Sequence, residues 1–88
     1  MKFIKQPKRV TLYTRAMCSW CMDAKEWLDN MGVQYIVADA GADKAARQRA
    51  IDLSGQTCVP VIEVDEHVLG DFDVGQLQNF LKKHGYLA

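Results

Sequence analysis

Of the three cysteines in this chain, Cys18 and Cys21 stand three residues apart in the run Tyr13-Thr14-Arg15-Ala16-Met17-Cys18-Ser19-Trp20-Cys21-Met22. Two thiols at this spacing form a redox couple, half of a zinc site, or an incidental pair. As a staple they are poor, because the chain-entropy model gives so short a loop about 2 kcal/mol, against about 3 for a 15-residue loop. As a redox couple the spacing is favourable. With Cys18 at a helix N-cap, Cys21 falls at N3 and its backbone N–H points back at the first sulfur. Unpaired N–H groups and the positive end of the helix dipole lower a cysteine pKa from about 8.5 toward roughly 3.5–7.5. Arg15, three residues upstream, adds a cation. The expected nucleophile is therefore Cys18, with Cys21 resolving the mixed disulfide that results. Zinc would need a second close pair of ligands, whereas Cys58 stands alone and His67 and His84 are widely separated.

Such a pair has to be presented by a strand that ends, and a helix that begins, at the motif. Residues 9–14 have the branched and aromatic content of a strand in Val10, Leu12 and Tyr13. After the motif, Ala24, Trp27, Leu28 and Met31 recur at i, i+3, i+4 and i+7, and Gly32 follows as a helix stop. Residues 33–38, with Val33, Tyr35, Ile36 and Val37, form an apolar run without alternation, as expected of a strand covered on both faces. A helix between two such strands implies a right-handed unit with the strands parallel. Ala42, Ala46, Ala50 and Leu53 then predict a second helix ending at Gly55, with Lys44, Arg47, Gln48 and Arg49 as its solvated face.

Val59, Val61, Ile62 and Val64 predict a third strand, and Asp65-Glu66 a tight turn into His67-Val68-Leu69. Pro60 either starts that strand or lies in a cis bond at a functional turn. The last helix opens on a capping box, Asp73 with Gln76, and buries Val74, Leu77, Phe80 and Leu81. Lys82, Lys83 and His84 precede the closing Gly85. The order is β-α-β-α-β-β-α in a single domain over residues 1–88, with a basic lead-in, residues 1–8, ahead of it.

Composition narrows the functions available. Formal net charge is zero, with 11 basic and 11 acidic side chains interspersed, so no nucleic-acid partner is expected. No stretch is long and apolar enough for a membrane span, and the charged start, Met1-Lys2-Phe3-Ile4-Lys5, is no signal-peptide core. An odd cysteine count without a disulfide framework suits a reducing compartment, and a cytoplasmic location is expected.

Three separated segments then resemble one family. Tyr13-Thr14-Arg15-x-x-Cys18-Ser19-Trp20-Cys21, Ser54-Gly55-Gln56-Thr57-Cys58-Val59-Pro60 and Gly70-Asp71-Phe72-Asp73 are similar to glutaredoxin motifs, in a match running over residues 10–81. The resemblance implies an α/β, thioredoxin-like fold with a four-stranded mixed sheet flanked by three helices, and a cis Pro60 packed beside the active-site disulfide. It implies that the Val59 backbone pairs with glutathione, that Arg15 and Gln56 meet its glycine carboxylate, and that Asp71, Phe72 and Asp73 meet its γ-glutamyl end. By themselves, Arg15 reads equally well as a solvated loop charge and Asp73 as a helix cap.

Two departures from the family stand out. Glutaredoxins commonly carry Cys-Pro-Tyr-Cys, whereas Ser19 and Trp20 are the middle residues here. Ser19 offers a hydroxyl to a sulfur, and Trp20 keeps a large aromatic surface for substrate contact. Cys58 stands where threonine is common, either as a small buried hydrophobe or as a third thiol open to glutathionylation. The implied function is a glutathione-dependent thiol–disulfide oxidoreductase acting as a monomer on disulfide-containing or glutathionylated proteins, with glutathione as reductant. Alternatives are a redoxin reduced by thioredoxin reductase in the service of ribonucleotide reductase, and an iron–sulfur cluster carrier. In the carrier two chains share the cluster through Cys18 and glutathione, a reading that Ser19 motivates.

Overall fold

The computed structural model describes all 88 residues. Its elements are β1 (Val10–Thr14), α1 (Ser19–Asn30), β2 (Ile36–Asp39), α2 (Lys44–Ser54), β3 (Val61–Val64), β4 (His67–Gly70) and α3 (Val74–Lys83). The strands form one sheet in the order β2-β1-β3-β4. β1 runs parallel to β2 and antiparallel to β3, which pairs antiparallel with β4. This is the expected thioredoxin-like arrangement of a mixed sheet and three helices.

The central strands β1 and β3 divide their side chains between two cores. On one face Val10, Leu12, Ile62 and Val64 pack with Ala24 and Leu28 of α1 and Leu77, Phe80 and Leu81 of α3. On the other face Tyr13 and Val61 pack with Ala50 of α2. Each large aliphatic side chain taken out of water in this way contributes about 1.5–3 kcal/mol. With helices on both faces, the end of β1 and the start of α1 are held from both sides.

The helix boundaries fall where local chemistry sets them. α1 stops at Met31, ahead of Gly32 at φ 71°, and α2 stops at Gly55, also at φ 71°. The Asp43 carboxylate caps α2 by accepting from the Ala45 N–H at 2.9 Å. At α3 the capping box is present as read: Asp73 Oδ1 accepts from the Gln76 N–H, and Gln76 Oε1 accepts from the Asp73 N–H.

The run at residues 33–38 departs from expectation. The strand begins only at Ile36, and none of its residues is buried; Ile36 is 62 % and Val37 43 % exposed. β2 is an edge bonded to β1 alone, and only its Ala38 packs against a core, the one beneath α2. Val33 and Tyr35 serve the core instead, and the Tyr35 hydroxyl donates to Asp29 Oδ1 at 2.8 Å. Asp65, at the hairpin turn, accepts from the Lys8 and Arg9 N–H groups and from the Tyr86 hydroxyl, which ties both chain ends to that turn. No helix is long and apolar enough to cross a membrane.

Candidate active site

The segment between β1 and α1 delivers Cys18 to the α1 N-cap, in extended backbone at φ −112° and ψ 105°. The Cys21 N–H donates to Cys18 Sγ at 3.2 Å, and the Met22 N–H donates to the Cys18 carbonyl at 3.1 Å. This is the geometry that the Cys-x-x-Cys spacing predicts. The two cysteines are joined as a disulfide, with Cα atoms 5.3 Å apart. Their surroundings differ: Cys21 is 1 % exposed beneath the helix end, whereas Cys18 is half-buried and lines an open groove. Only Cys18 can be reached from solvent.

Opposite Cys18 lies the connection from α2 to β3, where the Val59–Pro60 bond is cis. The Gln56 side chain fixes this loop. Its Oε1 accepts from the Cys58 N–H, and its Nε2 donates to the Cys58 carbonyl at 2.9 Å and to Ser54 Oγ at 3.2 Å. Gln56, expected at a ligand carboxylate, thus has its amide engaged in its own turn, although it also lines the adjoining cavity. The Val59 N–H and C=O have no partner within the chain. The Pro60 carbonyl accepts from the Asp71 N–H at 2.8 Å, joining the loop to the end of β4. The approach is close enough to require Gly70, since a Cβ there would stand 2.7 Å from Gln56 Nε2 and 2.9 Å from Ser54 Cβ.

A groove of about 300 Å³ holds Cys18, Ser19 and Trp20 together with Arg15, Met17, Cys58, Val59 and Asp71. It shares Arg15, Cys58 and Val59 with a cavity of about 180 Å³ that reaches back to Gly41 and Arg47. Trp20 is half exposed at the groove, as its place between the cysteines suggested. Of the turn residues, Asp71 reaches the groove; Phe72 is buried in the core, and Asp73 has its N–H and Oδ1 engaged in the α3 cap. Cys58 is not a buried hydrophobe. The Gln56 clamp turns it outward, and its free thiol is exposed in both hollows.

Arg47 is a site residue that the sequence did not reveal. On that face of α2, Arg49 pairs with Glu63 at 3.4 Å and Gln48 donates to Asp52 at 2.8 Å, as a solvated face would. Arg47 instead lines the smaller cavity and donates from Nη1 to the carbonyls of Ala40 and Gly41 at 3.3 and 3.4 Å. The available signal was its position three residues before the buried Ala50, at the border of the apolar stripe. Arg15 reaches the same cavity, where a Cβ on Gly41 would stand 3.0 Å from its own Cβ. Neither arginine has a carboxylate partner within the chain. The cavity therefore presents two unpaired cations beside two unpaired backbone groups.

An iron–sulfur cluster takes four thiolate ligands. One chain turns two sulfurs, Cys18 and Cys58, toward the groove and keeps Cys21 beneath the helix end, so a single chain does not fill the ligand set, whereas a cluster shared by two chains would draw its four thiolates from two Cys18 residues and two glutathiones.

Comparison with known proteins places this geometry in a wider set. The family model described as Glutaredoxin matches residues 10–69. Glutaredoxin 3 of Escherichia coli is 34% identical over 64 residues, covering 73% of this chain and 77% of its own length. An uncharacterized glutaredoxin-like 8.6 kDa protein in the rubredoxin operon of Clostridium pasteurianum is 26% identical over 74 residues, covering 84% of this chain and 99% of its own. Among solved structures, a thioredoxin-like protein superposes with a TM-score of 0.75 at 30% identity, over 83% of this chain and all of that one.

Proposed function

The chain belongs to the glutaredoxin family, and from that premise we propose that it is a glutathione-dependent thiol–disulfide oxidoreductase with Cys18 as nucleophile and Cys21 as resolving thiol. The observation that carries this reading is the position of the Cys18 sulfur at the α1 N-cap, with the Cys21 N–H directed at it from 3.2 Å. When the disulfide is reduced, that N–H and the helix dipole stabilise a thiolate on Cys18.

The Cys18 thiolate attacks one sulfur of a substrate disulfide, forming a mixed disulfide and releasing the other substrate sulfur as a thiolate. Cys21 then loses its proton and attacks Cys18 Sγ, expelling the second substrate thiolate and closing the Cys18–Cys21 disulfide. Two electrons have passed to the substrate. One glutathione thiolate attacks Cys18 and frees Cys21; a second attacks the glutathionyl sulfur and leaves as glutathione disulfide, returning both cysteines to thiols. The burial of Cys21 supports this division of roles, because an incoming disulfide reaches Cys18 first.

Glutathione is a short peptide ending in a carboxylate. Peptide backbone suits the free N–H and C=O of Val59 beside the cis Pro60, and a carboxylate suits the unpaired pair Arg15 and Arg47. Asp71, across the groove, suits the ammonium of the γ-glutamyl end, with the Phe72 backbone beside it and Asp73 holding the helix start. Trp20 offers apolar surface next to the sulfur, and Gln56 acts by holding Val59 in place. A hydrogen bond to a charged group contributes about 1.5–3 kcal/mol. Arg15→Ala and Arg47→Ala should therefore each raise the KM for glutathione by roughly ten- to a hundredfold, while single-turnover attack on a disulfide lacking glutathione changes little. A KM unmoved by either substitution would remove both arginines from the glutathione site.

A further inference from the structure

The groove beside the α1 N-cap is lined by two sulfurs, and the mechanism above uses only one of them. Cys18 and the free thiol of Cys58 face it together, while Cys21, bonded to Cys18, lies beneath the helix end at 1 % exposure. Cys18 therefore has a bonded sulfur on its buried side and a free sulfur on its open side. Thiol–disulfide exchange is an in-line displacement, with the attacking sulfur opposite the leaving one. Cys58 stands on the side of Cys18 from which attack expels Cys21. The same requirement keeps Cys58 from displacing a substrate held on Cys18, because the substrate sulfur then occupies the groove side itself.

The outward position of the Cys58 thiol is built into its loop, since Gln56 grips the Cys58 backbone through both its N–H and its carbonyl. A disulfide to Cys18 needs the two Cα atoms within about 7 Å, and the approach falls to the turn before Cys18. Met17, in that turn, makes no backbone hydrogen bond and has left-handed backbone at φ 59°, which the Cβ of an L-residue disfavours. No bond at Met17 holds the turn in place, and leaving this conformation relieves strain.

We propose that Cys58 is a third redox thiol of the site, which exchanges with the Cys18–Cys21 disulfide to give a Cys18–Cys58 isomer. The inference rests on the thiol–disulfide reading above, with Cys18 as the reactive sulfur. Cys58 gives its proton to water, and its thiolate attacks Cys18 Sγ. The Cys58–Cys18 bond forms as the Cys18–Cys21 bond breaks, and Cys21 leaves as a thiolate that takes up a proton. One disulfide replaces another, so no oxidant or reductant enters. In the second isomer Cys18 is tied across the groove to the loop that carries Val59. The site is then closed to substrate until a thiol attacks, and the bonded Cys58 sulfur borders the cavity of Arg15 and Arg47, where that thiol enters.

The test uses the oxidised full chain, equilibrated at pH 8, quenched in acid to protonate the thiolates and stop exchange, and digested with pepsin. Mass spectrometry of the monomer's linked peptides, with fragmentation between Cys18 and Cys21, reads which sulfurs are joined. The expected result is Cys18–Cys58 beside Cys18–Cys21, in amounts within about tenfold of each other because the bonds are alike in kind, and no Cys21–Cys58. Cys58→Ser should hold Cys18–Cys21 alone. Wild-type chains that hold only Cys18–Cys21, or that join Cys58 only between chains, would overturn the exchange and leave the thiol–disulfide reading standing. Cys21–Cys58 in equal amount would mean that both sulfurs of the pair are attacked, and would overturn the in-line arrangement. A Cys58→Ser protein that forms no disulfide would instead overturn the thiol–disulfide reading, and the exchange with it.

Discussion

Cys18 and Cys21 are separated by a single helical turn, yet one is accessible and the other is covered, and this asymmetry makes their roles testable. Cys21→Ser should retain attack on a disulfide and accumulate a stable mixed disulfide at Cys18, seen as an added substrate mass; Cys18→Ser should accumulate none. Trapping through Cys21 instead would reverse the assignment. This part of the site was legible in the sequence because an N-cap and its N3 residue are local, fixed by spacing alone. The positions of Cys58 and Arg47 were not, because they depend on which nearby backbone groups a side chain reaches once the loops have folded, and spacing alone does not fix that. Cys58 is turned outward by the Gln56 clamp and the cis Pro60, and Arg47 reaches the carbonyls of Ala40 and Gly41 across the start of α2. A residue type that usually lies buried, and one that usually solvates a helix face, were both redirected by these contacts.

Among the elements, α3 was the most legible, since its capping box and apolar stripe each point to the same start and the same inner face. Removing the cap gives a direct measure of its contribution. Asp73→Ala should lower stability by about 1 kcal/mol, and so lower Tm by roughly 4–8 °C in a domain of this size, read by thermal unfolding of the reduced protein. An unchanged Tm would mean that packing alone holds the start of α3. β2 was the least legible element. Its apolar run reads as a buried strand, but burial depends on what lies beside a strand, and position at the sheet edge is decided by the β1–β3 pairing. The part of that run that does enter the core, Val33 and Tyr35, precedes the strand.

For the molecule as a whole, the titrating groups that shift lie away from the redox site and bear on folding. His84, at the end of α3, stacks on His67 with ring centroids 3.9 Å apart. Burial and the neighbouring charges of His67 and Lys83 hold its pKa below the ordinary value. A depressed histidine is neutral when folded while the unfolded chain takes up a proton, so stability falls as pH drops below about 6.5. Asp65 is also depressed, by the Tyr86 hydroxyl and then by the Arg9 and Lys8 N–H groups. Its contribution is present above the ordinary carboxylate range and is lost as pH falls through the lower folded value. On the alkaline side, burial and the hydrogen bond to Asp29 push Tyr35 up to about 12, and burial with the bond to Asp65 raises Tyr86. Both phenols stay protonated in the fold, so stability declines as pH rises above about 10. Denaturant unfolding between acid and alkaline pH should therefore show a plateau from roughly pH 7 to 9.5 with losses on both sides. A midpoint still rising below pH 6 would contradict the His84 and Asp65 assignments.

The central claim is that Cys18 works in a glutathione site. It is tested most directly by the turnover of a glutathionyl mixed disulfide with two reducing systems supplied separately: glutathione with glutathione reductase, and thioredoxin reductase alone. Turnover with glutathione should occur and saturate as glutathione is raised, and thioredoxin reductase alone should support none. Turnover only with thioredoxin reductase would leave the fold and the cysteine roles standing and contradict the glutathione site built from Arg15, Arg47 and Val59.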